Sequence, residues 1–66
     1  MEIMVNGEKK TFQSALTVSG LLDALSINPN AVVVERNLKI LDRGHLARES
    51  VQDGDRIEII RMVGGG

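Results

Sequence analysis

Several residue types are absent or scarce in this 66-residue chain, and each shortage excludes a class of chemistry. There is no cysteine, which excludes disulfides, thiolate metal sites and a cysteine nucleophile, and which fits a reducing compartment. The aromatic content is one residue, Phe12, and the net charge is -1. Base stacking and a basic face are therefore both unsupported, and we expect no nucleic-acid partner.

Long apolar runs are also missing from the sequence. No run approaches the ~20 residues of a membrane span, and the first residues lack a signal-peptide pattern. We therefore expect no membrane association and a cytoplasmic location. The hydrophobic fraction of 42% is typical of a globular domain. We predict a single domain over residues 1–62, monomeric when free, followed by a flexible glycine-rich tail over residues 63–66.

The residues that usually carry catalysis are too few or too dispersed to form an active site. His45 is the only histidine and has no nucleophile placed beside it. Asp42, Asp53 and Asp55 are better explained by turns than by a metal site, because Asp53-Gly54-Asp55 is much too short for a calcium loop. We predict no catalytic residue, no metal ligand and no cofactor held by this chain.

The first half of the chain predicts a hairpin followed by a helix. Asn6-Gly7 lies between strand-like segments and favours a type I′ turn, with a return strand from Glu8 to about Gln13. Thr17 is typical of a helix N-cap, and Asn28-Pro29-Asn30 is expected to end the helix. The helical spacing gives one apolar stripe, Val18, Leu21, Leu22 and Leu25, with Leu16 and Leu21 at the positions of a hydrophobic staple.

The second half predicts further strands. Residues 31–34 are β-branched and nearly continuous, which suits a central strand, and residues 39–41 form a short one. Residues 42–50 are predicted to be a loop with one helical turn, and residues 56–63 read as the last strand. This order predicts an α+β fold, the ubiquitin-like β-grasp, with a mixed four- to five-stranded sheet and one main helix packed on one face. The predicted core is Ile3, Val5, Phe12, Leu21, Leu22, Leu25, Val32 or Val34, Ile57 and Ile59.

The end of the chain carries the features that point to function. Alternation places Ile57 and Ile59 on the core face of the last strand and Ile60 and Met62 on the opposite face, where we predict a docking surface. Val63 and Arg61 are assigned to the same surface. The Gly64-Gly65-Gly66 tail is thin because glycine has no Cβ, and its terminal carboxylate is suited to enter another enzyme's active site.

Four segments, read together, resemble the thiamine-biosynthesis sulfur carriers of the ThiS family. They are Met-x-Ile-x-Val-Asn-Gly at residues 1–7, Thr17-Val18-x-x-Leu21-Leu22, Val34-Glu35-Arg36-Asn37, and Asp53-Gly54-Asp55-Arg56-Ile57-Glu58-Ile59 with the Gly-Gly end. The resemblance spans essentially the whole chain, and the additional Gly64 ahead of the pair is a departure from it. It implies that Gly66 is adenylated by an E1-like partner using ATP and magnesium, then converted to a thiocarboxylate by a sulfur-donating enzyme. Thiazole synthase would accept the sulfur, while Gly64 and Gly65 keep the tail narrow.

Other functions remain open at the level of sequence. The same carboxylate would serve molybdopterin synthesis or transfer-RNA thiolation, because the donor end is chemically identical in each. A ubiquitin-like interaction module with an inert or isopeptide-forming tail is a further alternative. A small enzyme is disfavoured because no acid, base and nucleophile converge.

Overall fold

The computed structural model describes residues 1–63. The strands are β1 (Glu2–Val5), β2 (Glu8–Thr11), β3 (Val32–Arg36), β4 (Lys39–Ile40) and β5 (Arg56–Arg61), and the α-helix of this part of the chain is α1 (Val18–Ala24). Short 3-10 helices occupy Pro29–Ala31 and Arg43–His45. The second of these lies inside the segment predicted to be a loop with one helical turn, so that prediction is confirmed.

The strands form one mixed sheet in the order β2-β1-β5-β3-β4. β1 and β5 are parallel, whereas the β1–β2, β3–β5 and β3–β4 pairs are antiparallel. With α1 packed on one face, this is the predicted ubiquitin-like β-grasp. β3 is an interior strand between β5 and the short β4, and neither of its faces is fully exposed, as predicted for the β-branched segment. The middle strand of the sheet is β5.

Two-residue turns close both hairpins. Asn6 and Gly7 have φ values of 51° and 81°, as the predicted type I′ turn requires. The return strand ends at Thr11 rather than at Gln13, because Thr11 already pairs with Glu2, the first residue of β1. The β3–β4 turn places Asn37 and Leu38 at φ values of 51° and 73°.

Helix α1 begins as predicted and ends earlier than predicted. The Thr17 hydroxyl accepts a hydrogen bond from the Gly20 N–H at 3.0 Å, which is the N-cap interaction. The helix stops at Ala24, before Asn28-Pro29-Asn30, because Ser26 adopts a left-handed φ of 58°. The Ser26 N–H donates to the Asp23 carbonyl at 3.0 Å and the Ile27 N–H to the Leu22 carbonyl at 2.9 Å. These two bonds form a Schellman motif in which serine replaces the usual glycine.

The core lies between α1 and one face of the sheet. Its buried members are Ile3, Val5, Val18, Leu21, Leu22, Val32, Val34, Leu46, Val51 and Ile57. Phe12, Leu25 and Ile59 pack against this cluster but are only partly buried, so the prediction overstated their burial. Leu46 and Val51 were not predicted to be core residues. Residues 46–51 pack against the N-terminal end of α1, where the Val18 N–H donates to the Glu49 carbonyl at 2.8 Å.

Within residues 1–63, no helix is long and apolar enough to cross a membrane.

Candidate docking surface

The apolar side chains near the end of β5 are exposed on the face of the sheet that α1 leaves open. Ile60 is 47% exposed and Met62 is 40% exposed, whereas Ile57 on the covered face is fully buried. The predicted burial of Ile57 and exposure of Ile60 and Met62 are therefore confirmed, whereas Ile59 on the covered face is only partly buried. Val63 is 98% exposed and Arg61 is also exposed. A partner protein has direct access to all four predicted docking residues, and docking itself stays a prediction.

The last part of β5 is held to the start of β3 by backbone and side-chain contacts. Val32 pairs with Arg61, and the Met62 N–H donates to the Ala31 carbonyl at 2.9 Å. Arg43 reaches across from its 3-10 helix, with Nη2 3.2 Å from the Val32 carbonyl oxygen and 3.5 Å from the Met62 sulfur. Main-chain hydrogen bonding to the neighbouring strand therefore continues as far as Met62.

The apolar surface continues from β5 across the neighbouring strands. Val33 is directly opposite Ile60, and Ile40 is directly opposite Glu35, so these side chains share the open face. Ile40 is 71% exposed, and Leu38 in the adjoining turn is 80% exposed. Sequence reasoning missed this extension, because the pairing register of three strands brings these residues together and no local pattern reveals it.

The three aspartates that were weighed as metal ligands have structural roles. Asp42 Oδ1 accepts from the Gly44 N–H at 2.8 Å, and Asp53 Oδ1 accepts from the Glu2 N–H at 2.7 Å. Asp55 is buried, where its Oδ1 accepts from Asn37 Nδ2 at 3.1 Å and its Oδ2 from the Gln52 N–H at 2.8 Å. Across the described residues, no group of three or more histidine, cysteine, aspartate or glutamate side chains is placed to hold a metal ion.

The predicted modification site, Gly66, and the predicted threading residues, Gly64 and Gly65, lie outside the described residues. So does most of the predicted flexible tail. The structure thus describes the predicted docking surface up to Val63, the residue that precedes the three glycines.

Comparison with known proteins decides the family. A family model described as the ThiS family matches residues 3–66, which is almost the whole chain. The chain belongs to the ThiS family. The matched range includes the three glycines, so family membership extends to the segment beyond the described fold. Membership also indicates a carrier rather than a catalyst.

Individual relatives agree with this assignment. The crystal structure of the thiamine biosynthesis protein ThiS from Geobacter metallireducens superposes with a TM-score of 0.88, at 36% identity, with 100% of both chains covered. The sulfur carrier protein ThiS of Escherichia coli is 30% identical, again over 100% of both chains. A thiazole synthase of Paramagnetospirillum magneticum is 41% identical over 66 residues, but this chain spans only 20% of that protein's length.

Proposed function

We propose that this protein is a sulfur carrier of thiamine biosynthesis whose Gly66 carboxylate is adenylated and then converted to a thiocarboxylate. The observation that carries the proposal is the family match over residues 3–66, which joins the β-grasp domain to the glycine tail. The Escherichia coli relative, named a sulfur carrier, supports the same function. In the described residues the chemistry-bearing aspartates serve turns and caps, so activation is assigned to partner enzymes.

The chemistry follows from the properties of a carboxylate. A carboxylate oxygen is a poor leaving group, so it must be activated before sulfur can replace it. One oxygen of Gly66 attacks the α-phosphorus of ATP, and pyrophosphate leaves to give an acyl-adenylate. A sulfide-level sulfur nucleophile delivered by the donor enzyme then attacks the carbonyl carbon, AMP departs, and loss of the proton on sulfur leaves the thiocarboxylate. Magnesium and ATP are bound by the adenylating enzyme, where the metal neutralises phosphate charge.

The sulfur acceptor is proposed to be thiazole synthase. Proteins of that name carry a segment that aligns with this whole chain, both in Paramagnetospirillum magneticum and, at 38% identity, in Magnetococcus marinus. A carrier-like segment within a thiazole synthase favours thiazole formation over molybdopterin synthesis or transfer-RNA thiolation as the pathway served. An E1-like adenylating enzyme and a sulfur-donating enzyme complete the set of partners.

Recognition and reaction are assigned to different parts of the molecule. Ile60, Met62, Val63 and Arg61 dock the partner. Because Ile60 and Met62 are already about half buried, covering their remaining exposed area contributes roughly 1 kcal/mol each. That contribution offsets part of the cost of ordering the glycine tail, about 1–2 kcal/mol per residue. Gly64 and Gly65 carry no side chain, so the tail can thread a narrow channel and place Gly66 at the reaction centre.

Intact-mass spectrometry tests the proposal. The chain is incubated with its cognate adenylating enzyme, ATP, magnesium and the sulfur-donating enzyme, and we expect a mass gain equal to the replacement of one oxygen by sulfur. Deletion of Gly66 is expected to abolish the gain. Gly65→Val is expected to bind the adenylating enzyme and still fail to react, because a β-branched side chain stiffens and widens the tail. An unchanged wild-type mass with an active enzyme would instead favour a non-carrier interaction module.

A further inference from the structure

Two glutamates are directly opposite each other on the open face of the sheet. Glu35 of β3 pairs with Glu58 of β5 in the antiparallel register, and both side chains are half-buried. Side chains in such a pair have Cβ atoms only about 4.5–5.5 Å apart, and like charges there destabilise the sheet. The free protein therefore carries an unfavourable arrangement at the centre of an otherwise well-paired sheet.

No cation of the described chain forms an ion pair with either glutamate. The ion pairs found within residues 1–63 are Lys9–Glu2 and Arg36–Glu49. Arg36, although adjacent to Glu35 in sequence, donates to Glu49 and to the Ser50 carbonyl. Neither Glu35 nor Glu58 makes a side-chain hydrogen bond or ion pair to any of these 63 residues.

Apolar side chains border the two carboxylates on the same face. Ile60 and Val33 form the next cross-strand pair toward the tail, and Ile40 is opposite Glu35 on the other side. Toward the tail, the exposed apolar surface continues from Ile60 to Met62. A partner whose contact extends along this face from Met62 and Ile60 to Ile40 would also cover Glu35 and Glu58 and would remove water from around their charges.

We infer that this face receives a lysine or arginine of the adenylating enzyme between Glu35 and Glu58, with apolar side chains of that enzyme packed on Ile60, Val33 and Ile40. The inference rests on the proposed function. A cation placed there neutralises the repulsion and gains strength from the reduced exposure to water. An arginine has the further advantage of donating to both carboxylates through its planar fork. Glu35 and Glu58 therefore help to select the partner, although their repulsion lowers the stability of the free domain.

Binding of variants to the purified cognate adenylating enzyme, measured by calorimetry, tests the inference. Glu35→Gln and Glu58→Gln keep the side-chain shape and remove the charge, and each is expected to weaken binding about tenfold. The matched control is Glu8→Gln on the edge strand β2, an exposed residue outside this face, for which we expect unchanged affinity. A variant carrying both substitutions should bind more weakly than the wild type, and this difference in affinity is expected to shrink at high salt.

Thermal unfolding of the same variants separates recognition from a structural role. Glu35→Gln and Glu58→Gln are expected to raise the thermal midpoint by roughly 1–5 °C, because one like-charge pair is lost. Weaker binding together with equal or higher stability supports the inference. Wild-type affinity of both variants for the adenylating enzyme would overturn the inference and leave the carrier function intact. The same conclusion would follow if the variants bound thiazole synthase more weakly but the adenylating enzyme normally. A wild-type chain that neither binds the adenylating enzyme nor gains sulfur removes the proposed function and this inference together.

Discussion

The two faces of the sheet are built from the same strands but differ in what they carry. The face covered by α1 is apolar in its buried positions, with Ile3 and Val5 from β1, Val34 from β3 and Ile57 from β5. The alternate side chains of the same strands lie on the open face, which carries both an exposed apolar residue, Ile60, and a half-buried charged one, Glu58. Strand β5 contributes to both faces because successive side chains alternate, with Ile57 buried on the covered face and Ile60 exposed on the open one.

This difference separates stability from recognition within a very small domain. A chain of 66 residues has a limited core, so the covered face must supply most of the free energy of unfolding. The open face is then free to hold residues that the fold does not need, including a like-charge pair. Substitutions on the two faces are therefore expected to change different measured quantities.

The largest effect is expected for Leu22→Ala. Leu22, on the buried face of α1, is 1% exposed, and its truncation should lower the free energy of unfolding by about 2–5 kcal/mol. Such a loss is comparable with the whole stability of the domain, so much of the variant is expected to be unfolded at 37 °C. Chemical denaturation followed by circular dichroism measures the change.

Leu38→Ala is the matched control, because it removes the same atoms from a residue that is 80% exposed. We expect a change within ~0.5 kcal/mol. Equal losses in the two variants would break the distinction between a stabilising face and an open face.

The next largest effect is expected for Ile60→Asp, and it should appear in binding rather than in stability. Loss of the apolar contact and burial of a new charge should weaken binding to the adenylating enzyme by roughly 1.5–3 kcal/mol or more. The thermal midpoint should stay near that of the wild type, because Ile60 is 47% exposed. Gln13→Asp adds the same charge at an exposed position after β2 and should bind normally. A folded Ile60→Asp variant with full affinity would remove Ile60 from the docking surface.

A smaller effect is expected for Thr17→Ala at the start of α1. It removes the acceptor of the Gly20 N–H and should cost about 1 kcal/mol of stability without changing affinity for the partner. Thr17→Ser retains the hydroxyl and should restore most of the loss. Reduced partner affinity in a fully folded Thr17→Ala variant would show that recognition extends to the helix side of the molecule.

Features encoded by neighbouring residues were predictable from the sequence, and features created by distant pairing were not. The Asn6-Gly7 turn, the Thr17 cap and the alternation along β5 each depend on a short segment with its own backbone preference. The early end of α1 escaped prediction because Ser26 takes a left-handed conformation usually left to glycine.

The core and the candidate site show the same limit. Leu46 lies in a segment without periodicity, and it is a core residue only because the fold packs it against the N-terminal end of α1. Ile60 and Met62 were found from alternation alone, whereas the opposition of Glu35 and Glu58 needs the β3–β5 register. The predicted roles of Gly64, Gly65 and Gly66 stay predictions, since they concern the tail and its reaction with partners.

Amide chemical-shift mapping tests the division of the two faces most directly. The isotope-labelled chain is titrated with the unlabelled adenylating enzyme, and line broadening and shift changes are followed at every assigned amide. We predict that the largest changes occur at Val33, Glu35, Glu58, Ile60 and Met62 and in the glycine tail, with small changes at Leu21 and Leu22. Changes centred on α1, with the β3 and β5 amides undisturbed, would contradict the assignment of recognition to the open face.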